Sequence, residues 1–223
     1  MPETMSVERR KLLSFYRAEI VLTPAHKGMK GAIKKAIELK NTLKNSIILQ
    51  QVENSPNVLS HYETTKKEIW ENTEGKVDIL VAGIGTGGTI TGISKVLKSL
   101  KEIYTVGVEP ESSPLISKGN IGAHKIQKIG AGFIPKILNL NLVDEIVTVS
   151  NKEAYLMTKR LAKEEGILCG ISSDAALSEA IKIANKQENE NKTIVVILPD
   201  SGERYLSILD IFEKEEDTYA SYH

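Results

Sequence analysis

Short apolar runs alternate along the chain with longer amphipathic stretches, and the period of the pattern changes from one to the next. Val7, Leu12, Leu13 and Tyr16 recur at helical spacing and predict a helix over residues 5–17. Ile20, Val21 and Leu22 predict a short strand, stopped by Thr23 and Pro24. A helix is expected over 28–44 and a strand over 46–51. The polar stretch 53–76 carries Pro56 and then an amphipathic piece near 61–70. Strands follow at 77–82, 104–108, 145–149 and 194–198, with helices expected over 89–101, 152–165 and 173–186. Strands alternating with helices of this length imply crossover units on a parallel sheet. Several of the strands are unbroken apolar runs, as expected where both faces of a sheet are covered. The fold class is therefore α/β.

Residues 109–144 are rich in Gly and Pro and have few periodic runs. A loop that long within a compact domain is usually functional. The polar tail, 213–223, is expected to fray.

Composition narrows the function classes. Hydrophobic residues make up 41% and charged residues 26%, and 29 basic side chains balance 29 acidic ones. That balance argues against a general polyanion binder such as a nucleic-acid coat. The longest apolar runs are too short to span a bilayer, and the first residues lack an apolar signal core. A cytoplasmic location is expected, consistent with the single cysteine, Cys169, which reads as a small core residue. No Cys/His spacing suits a metal. His26 and His61 are expected to be solvated, and His124 to position a loop.

The most informative stretch is VDILVAGIGTGGTITGISKVLK, a buried strand entering a glycine-rich turn that opens a helix. Free N–H groups and the positive end of the helix dipole converge there, and Thr86 and Thr89 add hydroxyls. The arrangement suits a phosphate. It is not a P-loop, because no Lys-Ser/Thr pair follows the last glycine. Gly83, Gly85 and Gly88 fit a dinucleotide fingerprint loosely, so that reading stays open on the glycines alone, beside a plain tight turn without ligand.

The wider set of motifs is more specific. GIGTGGTITG, VGVEPESSP, HKIQKIGAGFIPK, LVDEIVTVS, EEGILCGISSDAAL and VVILPDSGERYL occur in an order that resembles the cysteine synthases. These are the O-acetylserine sulfhydrylases, fold-type II pyridoxal-phosphate enzymes with a three-layer, tryptophan synthase β-like parallel-sheet fold. MPETMSVERRKLL and LTPAHKGMKGAI resemble the family's middle segment, so the likeness runs from Met1 to about Leu209. It implies pyridoxal 5'-phosphate as cofactor, with Gly85, Thr86, Gly87, Gly88 and Thr89 at its phosphate. It places Ser172 at the pyridine nitrogen, where serine alone could equally be the cap of the 173–186 helix. Gly130, Ala131 and Gly132 correspond to backbone lining the substrate site, and Ser201 is a weaker site candidate. The family division implies a remainder of a smaller domain at 1–52, a larger cofactor-binding domain at 53–212 and a tail at 213–223.

The resemblance also exposes differences. The family's cofactor lysine lies in an Asn-Pro-x-x-Ser-x-Lys-Asp-Arg motif, and no such motif occurs in these 223 residues. The Thr-Ser-Gly-Asn-Thr-Gly substrate loop is also absent. No catalytic residue is therefore assigned, and the chain by itself is expected to be inactive, as an amino-terminally truncated member. Asp174 stands where the family has glycine after GISS, beside the expected ring position, and Lys128 replaces another glycine. The family implies O-acetylserine and sulfide as substrates and a homodimer, or here a complementing amino-terminal fragment. It does not carry over serine acetyltransferase binding, which leans on the missing loop. A non-catalytic, cofactor-binding or dimerising remnant and a cystathionine β-synthase-like enzyme are the alternatives. The GISS and SGERYL wording favours the cysteine synthase branch.

Overall fold

In a computed structural model, residues 1–208 are described. The tail expected to fray lies outside them. Four strands form one parallel sheet in the order β3-β2-β1-β4, where β1 is Val77–Gly83, β2 Tyr104–Pro110, β3 Glu145–Val149 and β4 Thr193–Val196. The chain moves outward from β1 to β2 and β3, then returns to the other side of β1 to lay down β4. The C-terminal ends of β1 and β4 thus flank a topological switch point, where open α/β sheets usually bind ligands.

Both faces of β1 are covered, which explains its apolar run from Ile79 to Ala82. Ile79 and Val81 pack on α8 (Ile171–Ala184) through Ala175, Ala176 and Ala180, whose small side chains let helix and sheet approach closely. Val77 and Leu80 pack with Ile93 and Leu97 of α5 (Gly88–Leu100). Truncating such a fully buried leucine costs about 2–5 kcal/mol. Outside α5 lies a continuous helical stretch, α3 (Pro56–Ser60), a π turn over His61–Thr65, and α4 (Lys66–Asn72), which buries Ile69. On the α8 side, α7 (Asn151–Glu165) begins at a capping box: Ser150 accepts from the Glu153 N–H, while the Glu153 carboxylate accepts from the Ser150 N–H.

The first part of the chain differs from the pattern reading. α1 (Val7–Phe15) and α2 (Gly28–Thr42) form where expected, but neither contains a buried residue. The strands expected at 20–22 and 46–51 are absent. Thr23 makes a single bridge to Pro2, and Ile47 and Leu49 are 81% and 75% exposed. An extended apolar segment becomes a strand only when a neighbouring strand takes its N–H and C=O groups. Here the Val21 carbonyl accepts from the Met1 amino group and the Leu49 and Gln51 carbonyls from the Asn54 and Asn57 side chains, and no strand among the described residues runs beside them.

Candidate functional site

The C-terminal end of β1 runs through Ile84, Gly85, Thr86 and Gly87 before α5 begins at Gly88. Gly87 has φ +80, and a Cβ there would stand 2.6 Å from the Leu138 Cβ. A Cβ at Gly85 would lie 2.2 Å from the Lys128 carbonyl oxygen, and one at Gly88 2.2 Å from Asn57 Oδ1. The glycines are needed because chain packs against the turn from three directions. The result is a close-fitting cradle at a helix N-terminus, rich in backbone donors.

Both cradle hydroxyls are positioned from the helical stretch behind them. Asn57 Nδ2 donates to Thr86 Oγ1 at 3.0 Å and to the Gln51 carbonyl at 2.9 Å. The Gly88 N–H also approaches Thr86 Oγ1, at 3.3 Å. His61 Nε2 lies 3.1 Å from Thr89 Oγ1, and its Nδ1 lies 3.0 Å from Thr65 Oγ1. His61 is therefore not solvated as the sequence implied. It is half-buried, and burial lowers its pKa, favouring the neutral ring. The placement of Asn57 and His61 against the cradle hydroxyls was not anticipated from the sequence. The signal that could have found them is their i, i+4 spacing on one helix, which puts both on one face.

Ser172 sits in the first turn of α8, next to Gly83: its carbonyl oxygen is 3.6 Å from where a Gly83 Cβ would be. The cap position belongs to Gly170, so the reading of Ser172 as a simple helix cap is overturned. Ser172 is 3% exposed, and its Oγ has no hydrogen-bond partner among the described residues. A buried hydroxyl without a partner costs about 1–3 kcal/mol, and the adjacent Ser173 Oγ is in the same state.

Asp174, expected to crowd this region, turns elsewhere. Its two oxygens accept from Thr158 Oγ1 at 2.6 Å and Cys169 Sγ at 3.0 Å, in the seam between α7 and α8. Desolvation by burial raises its carboxyl to about 6, outweighing the lowering by those two donors. Burial, reinforced by Asp174, also pushes the Cys169 thiol up to about 12. The thiol is inert at neutral pH, in keeping with the core role expected for it.

The long loop 109–144 folds back over the cradle. Buried Glu109, at the end of β2, accepts from the Ile116 and Ser117 N–H groups at 2.9 Å and pins the short helix α6 (Leu115–Lys118). The Gly130 N–H donates to the Ile84 carbonyl at 3.2 Å, and His124 Nε2 donates to the Gly130 carbonyl at 2.9 Å. His124 thus positions the loop, as expected. Gly130, Ala131 and Gly132 line one small pocket together with Gly85, Ile84 and Pro135. Ser201, beyond β4, forms a bridge to Cys169. The structure therefore gathers Gly83, the cradle, Ser172 and the loop glycines along one sheet edge. Among the described residues, no group of three His, Cys, Asp or Glu could hold a metal, and no helix is long and apolar enough to cross a membrane.

With this geometry in place, comparison with known proteins is specific. The family profile described as pyridoxal-phosphate dependent enzyme matches residues 1–200. Cysteine synthase of Buchnera aphidicola (subsp. Schizaphis graminum) is 50% identical over 98% of this chain and 72% of its own length. Cysteine synthase A of Escherichia coli K12 is also 50% identical, over 97% of this chain and 71% of its own. The crystal structure of cysteine synthase from Entamoeba histolytica superposes with a TM-score of 0.89 at 44% identity. It covers 98% of this chain, and the chain spans 65% of that structure.

Proposed function

Because the chain belongs to the pyridoxal-phosphate-dependent enzyme family, we propose that it is the cofactor-holding part of a cysteine synthase, replacing the acetoxy group of O-acetyl-L-serine with sulfide. Pyridoxal phosphate is that family's cofactor, and the residues present suit it. The single observation that carries the reading is the pairing of a glycine cradle at a helix N-terminus with a buried, unpartnered hydroxyl, Ser172, at the same sheet edge.

In this reading Gly85, Thr86, Gly87, Gly88 and Thr89 hold the phosphate by backbone N–H groups, two hydroxyls and the α5 dipole. Asn57 and His61 hold the hydroxyls in place. Ser172 faces the ring nitrogen, and a neutral hydroxyl there leaves that nitrogen largely unprotonated. When bound, the cofactor supplies an electron sink, and an unprotonated ring favours elimination and replacement over competing carbanion chemistry. Gly130, Ala131 and Gly132 let a small amino-acid substrate approach the backbone. Gly130 in particular is held by the Ile84 carbonyl and by His124.

In this reading the amine that tethers the cofactor's aldehyde comes from a segment outside these 223 residues, since the family's Asn-Pro-x-x-Ser-x-Lys motif does not occur in them. The unburied faces of α1 and α2 and the segments 20–22 and 46–51, which join no sheet among the described residues, support reading 1–52 as the remainder of a smaller domain. The larger domain then spans 53–212, and the assembled protein works in the cytoplasm. Coexpression with a family polypeptide carrying the Asn-Pro-x-x-Ser-x-Lys segment tests this. Cysteine should form from O-acetylserine and sulfide only when both pieces are present. A folded, cofactor-loaded pair that makes no cysteine overturns the assignment.

A further inference from the structure

Lys128 carries a side chain at φ +74, a backbone region that costs such a residue about 1–2 kcal/mol. It touches two opposite walls of the site. Its carbonyl oxygen packs against Gly85, 2.2 Å from where a Cβ would stand. Its Nζ forms an ion pair with the Asp200 carboxylate and lies 5.8 Å from the centroid of the Tyr205 ring. Asp200 follows β4, and its side chain is 3% exposed. Its Oδ1 lies 2.2 Å from where a Gly170 Cβ would be, and its backbone carbonyl accepts from the Gly170 N–H at 2.9 Å. Gly170 caps the helix that carries Ser172. The Lys128 side chain thus runs from the cradle wall to the rim of α8. A molecule with its phosphate in the cradle and its ring at Ser172 has to cross the same gap.

We propose that the Lys128–Asp200 ion pair is a strap across the cofactor slot, which the pyridine ring must displace in order to bind. The proposal rests on the cradle reading above. The strap is firmly seated. Asp200 Oδ2 accepts from the Tyr205 hydroxyl at 2.7 Å as well as from Lys128, while Oδ1 has no partner among the described residues. A buried carboxylate so placed depends on the cation paired with it, and releasing Lys128 carries a desolvation cost. The strap therefore lowers affinity for the whole cofactor without touching the phosphate site.

Calorimetric titration of the full chain with pyridoxal phosphate and, separately, with inorganic phosphate tests this. Lys128→Gly, which also suits the positive φ, should tighten pyridoxal phosphate by about tenfold and leave inorganic phosphate within about twofold. Asp200→Asn, which removes the anchor, should shift pyridoxal phosphate in the same direction and serves if the glycine variant folds poorly. Unchanged or weaker pyridoxal phosphate binding by either folded variant, with phosphate binding intact, overturns the strap. So does a borohydride-stable cofactor label on Lys128, since the lysine would then hold the cofactor rather than exclude it. If no variant binds either ligand, the cradle reading itself falls, and the strap with it.

Discussion

Thr158 Oγ1 donates a 2.6 Å hydrogen bond to Asp174 Oδ2 across the seam between α7 and α8, and both residues are buried. With Cys169 on the other oxygen, the carboxylate is paired only with neutral donors. Desolvation therefore dominates, and the carboxyl rises to about 6 from its ordinary 3.8. The residue that the sequence placed beside the cofactor ring instead acts on the packing of two helices.

This has a pH consequence. A carboxyl whose pKa is higher in the folded than in the unfolded state keeps its proton longer when folded. The folded state is then favoured below pH 3.8 and loses that advantage as pH rises to about 6. The penalty at neutral pH is on the order of 2–3 kcal/mol. Asp174→Asn should therefore raise stability at pH 8 relative to the parent and change it little near pH 4. Urea midpoints at the two pH values measure this; an equal effect at both would contradict it.

Thr158→Val removes the shorter donor to the same carboxylate. The loss should be about 1–3 kcal/mol at pH 8 and smaller at pH 4, where the protonated acid needs less support. Combined with Asp174→Asn, most of the loss should disappear, because the charge that needed the donor is gone. Additive losses in the denaturation cycle would show that Thr158 matters only for packing.

Asn57 holds Thr86 from behind the cradle and also binds the Gln51 carbonyl. Asn57→Ala should leave the fold intact by circular dichroism and weaken inorganic phosphate binding by about three- to tenfold, the worth of roughly one hydrogen bond. Unaltered phosphate affinity would mean that the Thr86 hydroxyl takes no part.

At the start of α7, Ser150→Ala should cost about 0.5–2 kcal/mol by removing the cap. Glu153 in the same box is held down to about 2, chiefly by Lys182 and then by the Ser150 N–H and hydroxyl. A lowered carboxylate contributes stability that is complete above pH 4.5 and lost as pH falls towards about 2. Glu153→Gln should accordingly flatten the acid limb of the stability profile below pH 4.5 while leaving the loss that Asp174 causes as pH rises to about 6 unchanged.

The sheet was legible because its strands carry their own evidence. Val77, Ile79, Leu80 and Val81 form an apolar run that only a doubly covered strand can bury, and its end in three glycines marks the cradle. The segments at 20–22 and 46–51 looked equally strand-like but depend on neighbours that the described residues do not supply. Ser172 was legible as a candidate, while its burial without a partner was not, since that follows from how α8 meets Gly83. The i, i+4 spacing of Asn57 and His61 puts them on one face, but what that face meets follows from the packing of α3 and the π turn on α5, which the spacing alone does not encode. Lys128 stood out as a residue in place of a glycine. Its reach to Asp200, 72 positions along the chain, is a tertiary fact.

The central claim is that residues 85–89 hold the cofactor by its phosphate. The ratio of the chain's dissociation constants for pyridoxal and pyridoxal phosphate tests it most directly. Loss of charge-assisted bonds to several backbone and hydroxyl donors should weaken pyridoxal by about a hundredfold. Equal affinity for the two would contradict the claim, since the cradle would then contribute nothing to binding.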